Sequence, residues 1–145
     1  MSHLQRNNIT HCCLKSDSIL LSPEGVVKVC DPFATAQQSN YEKAFLNRKT
    51  PHLYLPPEQA VALQEELISP KFPEEKGDIW TMGMIMLEAG LLNYKDECYR
   101  DDWSRIHWES IHYNINCFGQ IYSEELKNMV ELMLSREYRS RPDWI

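Results

Sequence analysis

The residues best suited to chemistry lie close together near the start of the chain. His11, Cys12 and Cys13 are consecutive, and Lys15, Asp17 and Ser18 follow directly. An imidazole beside two thiols suggests a metal site. Adjacent ligands without a second pair at finger spacing do not build one, so these three read as packing residues. The remaining cysteines are Cys30, Cys98 and Cys117, giving five in all and no CxxC spacing. Met1 to Thr10 is polar and holds no apolar leader segment. A reducing, intracellular and cytoplasmic setting is the expectation.

The chain has 145 residues, the size of one domain with a modest core. Its net charge of −6 and pI near 5.3 exclude nonspecific binding to nucleic acid. It carries no basic run that would read DNA or RNA. Neither a nucleic acid nor a membrane is an expected partner.

The elements that must position these groups start with the run from Asp78 to Leu92, the most apolar stretch of the sequence. Apolar residues on all sides predict a buried central helix over 78–92. Asp78 suits its N-cap and Gly90 its C-terminal stop. The run is too short to cross a bilayer, which takes about 20 apolar residues. Ile19–Leu21 and Val26–Val29 flank Pro23-Glu24-Gly25, which predicts a small antiparallel hairpin. Residues 34–57 show no periodicity and read as a long loop. Glu58 to Leu67 reads as a short helix. Trp103 to Ile115 has roughly helical apolar spacing. Ser123 opens a clearer helix, with Leu126, Met129, Val130 and Met133 on one face. Asn7-Asn8 reads as the stop of a short initial helix.

Five landmarks occur in order. They are His11-Cys12-Cys13-Leu14-Lys15-Ser16-Asp17-Ser18-Ile19-Leu20-Leu21, Val29-Cys30-Asp31-Pro32-Phe33, Pro56-Pro57-Glu58, Asp78-Ile79-Trp80-Thr81-Met82-Gly83 and Arg141-Pro142. Together they resemble the C-terminal lobe of a eukaryotic protein kinase. The matching family motifs are the catalytic loop HRDLKxxNILL, the DFG segment, the APE triplet, the DxWSxG helix start and a late Arg-Pro. The resemblance implies a mainly α, α+β fold: helices around a buried central helix, with one small hairpin. It divides residues 1–145 into a catalytic loop over 11–21, an activation segment over 31–58 and the central helix over 78–92. Nothing in the sequence resembles the Gly-rich loop, the strand lysine or its glutamate partner. The expectation is therefore a partial domain with the N-terminal lobe absent.

The family transfers the ATP γ-phosphate to protein serine or threonine, so the resemblance implies ATP and Mg²⁺ as cofactors. Lys15 matches the lysine that steadies the γ-phosphate. Asp31 matches the main Mg²⁺ ligand, and Ser18 stands where the family places the asparagine for a second Mg²⁺. Cys13 stands at the catalytic aspartate and Cys12 at the arginine beside it. A neutral thiol supplies none of a carboxylate's charge, so Cys13 reads as a small buried filler. A serine hydroxyl is a poorer ligand than an amide carbonyl for a hard cation. Pro32-Phe33 replaces Phe-Gly, which removes a flexible point after Asp31. Ser39, Tyr41 and Thr50 are candidate phosphorylation sites whose usual reader, the arginine, is missing. Three landmarks are architectural. Glu58 is expected to pair with Arg141, and Asp78 to hold the catalytic-loop backbone. The function implied is a pseudokinase-like lobe that acts by binding an unidentified protein partner, with nucleotide a possible ligand. The alternative is a truncated piece of an active serine/threonine kinase.

Overall fold

A computed structural model describes residues 2–30 and 38–144. It is helix-rich, with one two-stranded antiparallel sheet. The helices are α1 (Ser2–Arg6), α2 (Asn40–Leu46), α3 (Pro57–Gln64), α4 (Glu74–Leu91), α5 (Trp108–Gly119) and α6 (Glu124–Met133). The strands are β1 (Ile19–Leu21) and β2 (Val27–Val29), paired Ile19 to Val29 and Leu21 to Val27. Gly25 turns the hairpin with φ of 81°, a conformation that glycine takes without strain. Asn8, in the left-handed region at φ 53°, follows the end of α1.

The central helix is α4, but it begins a turn earlier than its apolar pattern suggests. Pro73, not Asp78, occupies the N-cap position. Glu74 and Glu75 fill the first turn, where carboxylates favour the positive helix end. Asp78 therefore lies inside the helix, and its carboxylate serves another element. The C-terminal stop also differs. Leu92 adopts the left-handed conformation at φ 52°, while Gly90 stays helical.

Gly90 has a packing role instead. A Cβ at this position would lie 2.3 Å from Phe118 Cε2 on α5. Gly83 gives α6 similar access, with Leu134 Cδ2 at 3.0 Å from the same construction. These two bare backbone positions let α5 and α6 close on α4. Gly90→Ala is expected to cost about 1–3 kcal/mol through forced repacking. Urea unfolding checks this, since relief of a helix-interior glycine alone would stabilise the chain.

Trp80 is fully buried at the centre of the core, with Tyr54, Leu55, Leu63, Met84 and Leu87 also inside. Its Nε1 donates to Tyr99 Oη at 2.9 Å, and Tyr99 donates on to the Leu55 carbonyl at 3.0 Å. Trp108 meets the Trp80 ring edge to face at 5.8 Å.

Two expectations about the connections fail. Residues 34–57 are not one long loop, because α2 lies within them. Ser39 accepts from the Glu42 amide while Glu42 accepts from the Ser39 amide, a reciprocal capping box. The helix expected over Trp103–Ile115 starts only at Trp108. Trp103 and Ile106 are buried, but in irregular chain, with Trp103 at φ 61° and Ile106 bridging Tyr99. Their apolar spacing reflected burial rather than helical period. No helix of the described residues is long and apolar enough to cross a membrane.

Candidate functional site

The loop from His11 to Ser18 is held by groups distant in sequence. Asp78 reaches out of α4 and accepts from two consecutive amides, His11 N at 2.6 Å and Cys12 N at 2.8 Å. Cys12 takes φ 58°, a strained value for a residue with a Cβ. Burial pushes the Asp78 carboxyl up to about 7 against the pull of these two amides, and Glu74 and Glu75 push the same way.

The His11 ring is buried between two elements. Its Nε2 donates to the Cys30 carbonyl at 2.8 Å, tying the loop to the end of β2. A carbonyl only accepts, so the proton of the neutral ring sits on Nε2. That leaves Nδ1 as acceptor toward the Cys13 thiol, 3.5 Å away. Cys13 is 2% exposed and followed by fully buried Leu14. Cys13 is thus an enclosed thiol against the His11 ring.

Lys15 lies outside this core. Its Nζ is 3.4 Å from Asp17, with Lys15 partly exposed and Asp17 largely open to water. Such a pair contributes little to stability. Ser18 is fully buried, and among the described residues its Oγ has no hydrogen-bond partner. The Ser18 carbonyl accepts from Cys30 N at 2.9 Å, so Cys30 lies beside it. Asp31, Pro32 and Phe33 lie outside the described residues.

Three further residues organise the site and were not singled out in the sequence. Glu88 Oε2 accepts from Ser16 Oγ at 2.6 Å and from Tyr54 Oη at 2.7 Å. It joins the loop, the segment before α3 and the central helix. The one charge after Asp78 in the apolar run 78–92 was the available signal. Tyr54 also accepts from Lys95 N at 3.0 Å. Asn40 Nδ2 donates to the Leu14 carbonyl at 2.6 Å and the Leu53 carbonyl at 3.2 Å, bridging the loop to the chain before α3.

Two of the three candidate phosphorylation sites, Ser39 and Tyr41, have their side chains engaged in structure. Ser39 caps α2, and Tyr41 is 5% exposed with its hydroxyl donating to the Leu67 carbonyl at 2.6 Å. Cys12 stays a neutral thiol. Burial raises its pKa first, and the nearby Glu74 and Asp78 carboxylates add to the rise against a hydrogen bond with Thr10.

At the far side of α4, Arg141 is fully buried over the Trp80 ring at 5.2 Å. It donates to both oxygens of Glu58, each at 2.8 Å, and to the carbonyls of Ser135 and Lys76 at 3.0 Å. The two-point pair fixes the start of α3 to the chain after α6.

Mg²⁺ binding requires several hard oxygen ligands. In the loop the described residues offer the exposed Asp17 carboxylate, the enclosed Ser18 hydroxyl and two thiols. Among the described residues there is no group of three His, Cys, Asp or Glu side chains placed to hold a metal.

Residues 1–144 match the family described as protein kinase domain. Mouse serine/threonine-protein kinase Nek3 is 28% identical over 144 residues, covering 98% of this chain and 26% of its own length. The actin-regulating kinase PRK1 of Saccharomyces cerevisiae is 28% identical over 163 residues, covering 97% of this chain and 17% of its own length. The serine/threonine-protein kinase shk1/pak1 of Schizosaccharomyces pombe is 33% identical over 89 residues, or 61% of this chain and 12% of its own length. The chain thus spans about a quarter or less of the relatives it matches.

Proposed function

The chain belongs to the protein kinase domain family, and from that premise we propose that it is the C-terminal lobe of such a domain, catalytically impaired and acting through binding. The observation that carries this reading is Cys13. A thiol enclosed against His11 stands where the family motif has its catalytic carboxylate. Phosphoryl transfer relies on positioning and charge, with little covalent chemistry to compensate for a lost group. Cys12 removes the adjacent cation, and Ser18 replaces an amide oxygen with an orphaned hydroxyl.

The hairpin supports the lobe assignment. Leu20, Leu21, Val26 and Val27 are each more than half exposed. An apolar patch of this kind on one small sheet marks a surface that another body covers. In a whole kinase domain, that body would be the N-terminal lobe.

A second reading is a piece of an active ATP-dependent serine/threonine kinase. Lys15, which reaches solvent, favours it, as does the aspartate at position 31. Radiolabelled γ-phosphate transfer to a generic acceptor protein separates the two. We expect no incorporation above background for the wild-type chain or for Asp31→Ala. Cys13→Asp alone is expected to restore none, because groups acting as a unit are not rescued singly. Millimolar Mg-ATP should leave the melting midpoint unchanged. Transfer by the wild type that disappears in Asp31→Ala would establish the active reading instead.

A further inference from the structure

A cavity of about 530 Å³ lies between α2, the chain before α4 and the first turns of α4. That volume falls in the range of ligand pockets. Its apolar lining includes Tyr41, Phe45 and Phe72, with the Tyr41 and Phe72 rings edge to face at 5.0 Å. Leu46 and Ile68 also line it while remaining 70% and 81% exposed.

The charges around this cavity are one-sided. Glu42, Glu74 and Asp78 are its charged lining residues, all acidic. Among the described residues, none of the three has a lysine, arginine or histidine within ion-pair distance. Cys12 is part of the same wall, its Sγ 3.2 Å from Glu74 Oε2. The family motif has an arginine at this position, and the thiol brings no charge in its place. Asn40 lines the cavity too, and among the described residues its buried Oδ1 has no hydrogen-bond partner. Carboxylates and an unpaired acceptor beside an apolar floor call for a ligand with donors and positive charge.

We propose that this cavity docks a peptide segment of a partner protein in which an aromatic or large aliphatic anchor sits beside an arginine or lysine. The anchor packs on Phe45 and Phe72. The cation pairs with Glu74 and supplies in trans the charge that Cys12 does not. An acidic peptide is repelled by this wall, and a neutral one leaves Glu74 without a cation. The proposal shares Cys12 with the catalytic loop but needs no phosphate transfer, so its failure would leave the disabled-lobe reading intact, and the reverse holds.

The test is fluorescence anisotropy of short labelled peptides with the 145-residue chain. The probes place arginine beside phenylalanine, tryptophan or leucine, with glutamate and glutamine versions of each. At least one arginine probe should bind about tenfold or more tighter than its glutamate counterpart, and added salt should weaken it. Glu74→Gln should remove most of that preference. Cys12→Arg, which places the cation in cis, should abolish binding while the circular-dichroism melt stays cooperative. Failure of all three arginine probes to bind overturns the proposal. So does equal binding of the glutamate versions, or unchanged binding by both variants.

Discussion

Replacing Arg141 with methionine should lower the unfolding free energy by about 3–5 kcal/mol, the range for breaking a buried ion pair. The guanidinium is wholly enclosed and holds Glu58 at two points, while two backbone carbonyls take its other donors. Removing it strands the Glu58 carboxylate, which is only 18% exposed, and leaves those carbonyls unpaired. It also removes the cation above Trp80. Urea unfolding of Arg141→Met, Glu58→Met and the double variant measures the effect. The double variant should lose less than the sum of the single losses, because no orphaned charge remains. A single-variant loss under about 1 kcal/mol, the size seen for exposed pairs, would mean that water reaches the site.

Asp78→Asn should change how stability depends on pH. The folded carboxyl is raised from 3.8 to about 7. Between those values the folded chain keeps a proton that the unfolded chain has released. This group's contribution is therefore fully present below about pH 4 and is lost as pH rises through about 7. The slope in that window is about 1.4 kcal/mol per pH unit. The variant lacks this proton. Wild type should gain on it as pH falls from 8 to about 4, and the difference should level off outside the window. The amide also leaves one loop N–H facing a donor, a cost of about 1–3 kcal/mol at every pH. Paired urea titrations across this range provide the measurement. A constant difference would show that Asp78 titrates at its ordinary value and that its two amide bonds outweigh burial.

Local sequence chemistry announced much of the architecture. The turn at Pro23-Glu24-Gly25 marked the hairpin, and Ser123 with its apolar face marked α6. The resemblance of Pro57-Glu58 and Arg141-Pro142 to family landmarks implied a pair that the structure forms at 2.8 Å. Other features misled for identifiable reasons. α2 was missed because its apolar pattern is weak, although Ser39 and Glu42 carry the capping signature. Trp103 and Ile106 suggested helix because burial alone can imitate helical spacing. Gly90 read as a terminator, yet the helix stops two residues later and the glycine admits Phe118 instead.

The sequence alone determined that a buried rod lies at the centre and that thiols occupy positions 12 and 13. Those facts depend on residue type and neighbours along the chain, which are legible without coordinates. Only the tertiary structure decided which partners distant groups find. It gave the helix cap to Pro73 and fixed which amides Asp78 grips, those of His11 and Cys12, nearly seventy residues away along the chain. It gathered Ser16, Tyr54 and Lys95 around Glu88, and set Cys12 beside carboxylates in an apolar cavity. Burial and long-range geometry set these pairings, and one-dimensional spacing does not encode either of them.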